Sequence, residues 1–145
     1  MRLGIVGLAC LVLAGCATKY QEKGFTGGYE ELQLSADTFR ISVSGNGYTS
    51  TTRAENIAML RAADLTMQRG YERFVILSGN VSQQYAGSTD VTINRVGNTL
   101  VASGGEEIRK PGGSITVRLI AKSDPGFATA LDARMIAAQL RPKLS

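Results

Sequence analysis

The 145-residue chain contains no histidine and no tryptophan, with only two cysteines, three prolines, five tyrosines and four phenylalanines. Without histidine it lacks the commonest metal ligand and the side chain best matched to proton transfer near neutral pH. An enzyme is therefore not expected, nor is a metal or a cofactor. The formal charge of +4 is scattered, with no more than two basic residues adjacent. With so few rings for stacking, nucleic acid is not an expected partner. No apolar run approaches the roughly 20 residues of a membrane-spanning helix. The composition is 43% hydrophobic and 19% charged, that of an ordinary globular chain able to build one modest core.

What the sequence does contain begins at its first residues. Met1 and Arg2 give a short positive start, residues 3–13 an apolar run of signal-peptide length, and Ala14 and Gly15 the small residues a peptidase accepts before its cut. The four residues Leu13, Ala14, Gly15 and Cys16 resemble the lipobox of bacterial lipoproteins. That resemblance implies cleavage between Gly15 and Cys16, a diacylglyceryl thioether on Cys16 and acylation, for example by palmitate, of the new amino terminus. Cys10 would leave with the signal and Cys16 would be consumed by its lipid, so no disulfide is expected. One acyl chain binds membranes marginally, whereas two or three on one residue hold durably. Lipoproteins of enterobacterial type stay in the inner membrane when aspartate follows the cysteine; here Ala17 and Thr18 follow. The resemblance thus implies a cell-envelope protein on the outer membrane, facing the periplasm. Three divisions are expected: a signal peptide at 1–15, a lipidated terminus and tether at 16–28, and a single periplasmic domain at 29–145.

Within that domain, residues 38–44 alternate Phe39, Ile41 and Val43 with polar residues, the period of a strand with one buried face. A capping-box spacing from Thr52 to Glu55 and a glycine at Gly70 predict a helix over 53–69. Ala54, Ala58, Ala62 and Leu65 form its inner stripe, with Arg61 and Asp64 to the other side. Residues 74–77 read as a buried strand, 89–101 as strand and turn around Gly97 and Asn98, and 115–121 as another strand. Residues 103–114, flanked by glycines and charged, read as an exposed hairpin loop. Asp124 and Pro125 predict the start of a second helix that Pro142 stops. The expected fold is α+β in the order β-α-β-β-β-α. It has a mostly antiparallel sheet of four to five strands and two helices on one face.

Candidate chemistry is sparse. Residues 45–50, GNGYTS, superficially resemble a dinucleotide-binding loop, but Ser50 stands where the fingerprint wants glycine or alanine, the helix cap falls too late, and no ribose-binding acid follows residues 74–77. The expectation is a turn with room for positive φ at Gly45 or Gly47. Asn46, Tyr48 and Arg61 are the polar positions singled out for a structural role or a partner contact. Asn46 is expected to make a local turn bond, and Arg61 to clamp the loop that enters the helix or reach Asp64. The stretch 27–77 resembles uncharacterised proteobacterial lipoproteins that carry a GYSE…FRV.F.GNG…LLRAAELTLE.GY.YF pattern after a lipobox. Gly28, Tyr29, Glu30, Phe39, Gly45, Asn46, Gly47, Arg61, Ala62, Ala63 and Gly70 match it, while Asp64 departs where the family has glutamate. The resemblance implies lipoprotein status and the helix-strand unit, but no activity. The expected function is a non-catalytic envelope binding or structural module contacting a protein or glycan. The alternatives are an accessory subunit of an envelope assembly, docking on the sheet face left open by the helices, and a hydrolase-type enzyme.

Overall fold

A computed structural model describes residues 16–88, 91–96, 99–104 and 107–145, with side chains outside 82–109. The fold is α+β. Among the described residues, seven strands, β1 (Gly28–Gln33), β2 (Thr38–Ser44), β3 (Arg73–Ser88), β4 (Val91–Val96), β5 (Thr99–Gly104), β6 (Glu107–Ile120) and β7 (Leu131–Asp132), accompany two helices, α1 (Thr51–Gln68) and α2 (Ala133–Leu144). Five strands form an antiparallel sheet in the order β1-β2-β6-β3-β7, and β4 pairs with β5. The expected signal segment and the turn expected at Gly97 and Asn98 lie outside the described residues.

Alternation decides the buried face. Phe39, Ile41 and Val43 of β2 and Ile115, Val117 and Leu119 of β6 pack beneath α1, while Arg40, Ser42, Thr116 and Arg118 occupy the other face. The alanine stripe meets this surface as its spacing predicts, with Ala54, Ala58, Ala62 and Leu65 all buried. Small residues let the helix approach the sheet closely. Two differences follow from what surrounds α1. Its N-cap is Ser50, whose hydroxyl accepts from the Arg53 amide at 3.1 Å, so the helix starts at Thr51 rather than Arg53. Arg61 and Asp64, expected towards solvent, are each 9% exposed, because α2, β1 and residues 18–20 close over the outer side of the helix. Gly70 ends the helix as expected, at φ +80°, with backbone bonds from Gly70 to Met67 and from Tyr71 to Thr66.

β2 and β3 flank the α1 crossover, yet they do not pair with each other. β6 lies between them, antiparallel to both, so β2 and β3 run parallel at one strand's remove. β3 and β6 are 16 and 14 residues long and stay paired from Arg73 and Ile120 out to Ser88 and Glu107. Beyond Pro111, whose carbonyl still accepts from the Gly45 amide at 2.8 Å, β3 and β6 pair with each other and, among the described residues, with no third strand. The hairpin loop expected over 103–114 is thus a correction: most of that stretch is strand, and its Gly113 serves close backbone approach rather than a turn. Gly79 and Gly113 both have positive φ, and a Cβ on either would collide with the opposing strand's carbonyl, Ser114 O and Asn80 O respectively. The β4–β5 pairing, Val91 opposite Gly104, keeps the register set by Ser88 opposite Glu107.

The C-terminal helix is also displaced from its expected span. Asp124 caps a turn, accepting from the Gly126 amide at 2.8 Å, and Phe127–Thr129 forms one 3-10 turn. Helix α2 begins only after β7, capped by Asp132, which accepts from the Met135 amide at 2.9 Å. Pro142 sits inside its last turn instead of stopping it. There the one backbone bond that proline removes lies at an open helix end, where water can replace it.

Candidate functional site

The group that the chemistry of this chain singles out is Cys16, which is exposed, and the domain grips the residues beside it. Thr18 is wholly buried. Its amide donates to the Thr49 hydroxyl at 2.8 Å, and its own hydroxyl donates to the Thr26 carbonyl at 3.1 Å while accepting from the Asn46 amide at 3.0 Å. The Thr49 hydroxyl lies 2.7 Å from the Thr18 hydroxyl and 2.9 Å from Asn46 Oδ1. Asn46 Nδ2 donates to the Cys16 carbonyl at 2.7 Å. Arg53 Nε donates to the Thr18 carbonyl at 2.8 Å, and its other nitrogens reach the Lys143 and Leu144 carbonyls at the end of α2. A buried polar cluster of this kind is stable only when its members find partners, and Thr18 and Thr49 do.

Residues 17–28, expected as a tether, are accordingly folded onto the domain. After Thr18 the chain runs beside β1, exchanging backbone bonds with Tyr29 at Gln21 and Lys23, and turns back between Gly24 and Gly27. Gly27 has φ +98° and its Cα faces the Ser44 carbonyl too closely for a side chain. Glycine is required there for the turn to lie against β2.

A second cluster clamps the same segment from behind. The Tyr20 hydroxyl donates to Asp64 Oδ2 at 2.6 Å, and Arg141 of α2 donates to Asp64 Oδ1 at 2.5 Å. Arg61 pairs through Nε with Glu31 of β1 at 2.7 Å and donates from Nη2 to Gln68 Oε1 at 3.2 Å, and its guanidinium carbon lies 4.9 Å over the Tyr29 ring, which sits tilted 5.0 Å from that of Tyr20. Burial pushes the Tyr20 phenol well above its ordinary 10.0, and donation to Asp64 adds to the shift. Burial works against the Arg61 charge, but Glu31 and the tyrosines outweigh it and the guanidinium is held above its usual range. The two acids and two arginines thus neutralise one another pairwise across α1, and they bind four parts of the chain together.

Of the residues the sequence singles out, Asn46 makes the expected turn bond, accepting from the Tyr48 amide at 3.0 Å, and adds the unforeseen one to Cys16. The loop containing it has no positive φ at Gly45 or Gly47, which corrects that expectation. Gly45 is needed instead because a Cβ there would meet Pro111 Cγ at 2.6 Å. Arg61 does not reach the helix-entry loop or Asp64; it clamps β1, because Glu31 projects towards α1. It is Arg53, in the first turn of α1, that joins the start of the helix to Thr18 and to the end of α2. Tyr48 is 78% exposed. Thr18, Thr49 and Arg53 were missed, since Thr18 and Thr49 are 31 positions apart and no local pattern joins them. Among the described residues, no helix is long and apolar enough to cross a membrane. No family model, curated protein or solved structure matches the chain.

Proposed function

We propose that this is a bacterial envelope lipoprotein, anchored through acyl chains on Cys16 and working as a non-catalytic module that presents its sheet to a periplasmic protein or glycan. The observation that carries the reading is the grip on the residues beside Cys16. Thr18, two residues from the lipobox cysteine, is buried and bonded to three separate segments. A terminus that only marked where a secretory signal was removed would need no such fixing, because chain ends are ordinarily loose. A terminus that bears the anchor has a use for it, since the link to the membrane then sets how the domain sits. Outer-membrane placement, from the residues after Cys16, belongs to the same proposal. The Cys16→Ser variant is expected to lose the membrane while keeping its fold. Fractionation with a thermal melt reads both, and a variant that is processed yet stays firmly in membranes would defeat the anchor.

A further inference from the structure

The two loops that hold the residues next to Cys16 each carry an aromatic ring in water. Phe25 sits at the tip of the turn closed by reciprocal backbone bonds between Gly24 and Gly27, 3.1 Å each way, and its relative exposure is 108%. Tyr48 sits in the loop after β2 at 78%. Scattered surface apolar residues need no explanation, but these two are not scattered. Thr18 bonds to the Thr26 carbonyl, next to Phe25, and to the Asn46 amide. Asn46 in turn bonds to the Tyr48 amide and to the Cys16 carbonyl. Each ring is therefore held by a short hydrogen-bonded path to Thr18. Thr18 itself lies within about 7 Å of chain from Cys16, two residues at full extension. Lys19 is exposed in the same segment, and Arg53 draws the end of α2, with exposed Lys143, to the same place.

Aromatic rings favour the headgroup layer of a bilayer, and lysines favour its phosphates. We propose that Phe25 and Tyr48 enter the interfacial layer of the leaflet that holds the acyl chains, with Lys19 against the headgroups, so that the domain is oriented by three points and not merely tethered by one. The inference rests on lipidation of Cys16, which brings both rings to the bilayer surface whatever else the domain binds. The β3–β6 ribbon departs from the same end of the sheet, from the strands next to β2.

The absence of tryptophan makes the test direct. The full-length Phe25→Trp protein, purified with its lipid, is reconstituted into phosphatidylethanolamine–phosphatidylglycerol vesicles, some carrying acyl chains brominated near the headgroup. Leu32→Trp is the comparison, because Leu32 is 56% exposed on β1, about 13 Å further along that strand than Gly28. Both proteins should float with the vesicles. The Phe25→Trp emission should shift to shorter wavelength and lose most of its intensity to the brominated lipid, while the Leu32→Trp emission should do neither. Flotation without quenching at position 25 overturns the interfacial contact and leaves the anchor standing, as would be seen if this patch docked a protein instead. Equal quenching at both positions overturns it too. Failure to float removes the anchor and the inference together.

Discussion

Arg61 shows how one side chain decides whether a neighbouring element can be buried at all. Glu31 faces α1 from β1 at its exposed rim, and the buried Arg61 guanidinium, which would be costly to leave unpaired, meets it at 2.7 Å. Arg61→Ala should therefore lower stability by about 1–3 kcal/mol, since Glu31 loses its charge partner and Gln68 a donor; a denaturant midpoint unchanged from the parent would refute this. Tyr20 supplies a prediction in pH. The folded chain holds its phenol proton to higher pH than the unfolded chain, in which the group ionises near 10.0. Its contribution is then constant well below that value and is lost as pH rises past it, because the unfolded state releases the proton first. Tyr20→Phe should flatten the alkaline fall in melting temperature relative to the parent, while costing some stability at neutral pH through the lost bond to Asp64. Asn46 was legible as a turn residue because its side chain bonds two positions away. Thr18 was not, because its partners come from loops that only the fold assembles.

At the scale of elements, periodicity was legible where one face meets a core and the other meets water. Strand β2 and the inner stripe of α1 stand where alternation and helical spacing put them. Strand β1 breaks the rule, since its sequence GYEELQ carries Glu31 on the face that its partner Ile41 turns inward, at an exposed rim where it pairs with Arg61. α2 was misplaced because Asp124 and Asp132 both offer cap chemistry, and only the pairing of Leu131 with Phe74 selects the second. The alanines of α1 measure how closely helix and sheet approach. Ala62 has no exposed surface, so Ala62→Leu should cost about 1–3 kcal/mol by overpacking. Chemical unfolding of the two proteins checks it, and equal midpoints would show room at the contact that the structure does not have.

The described residues divide into a five-stranded sheet with α1 packed on it and a two-stranded ribbon. Between Arg73 and Val81, β3 has a helix over part of its length and a neighbour in β6 that is itself flanked by β2. Past Gly112 the pairing is two strands wide, and an isolated two-stranded ribbon is marginal in water. Amides of residues 83–88 and 107–110 should therefore exchange hydrogen far faster than those of 74–76 and 115–119; uniform protection along both strands would mean that another surface covers the ribbon. The position of β6 has a different consequence, in time rather than in space. β2 and β3 cannot join until a strand from the last third of the chain slides between them, so a polypeptide emerging amino terminus first carries an unclosed sheet until most of it has been delivered. The strand that locks the sheet is among the last to arrive, and the fold stays open for as long as most of the chain is still being delivered.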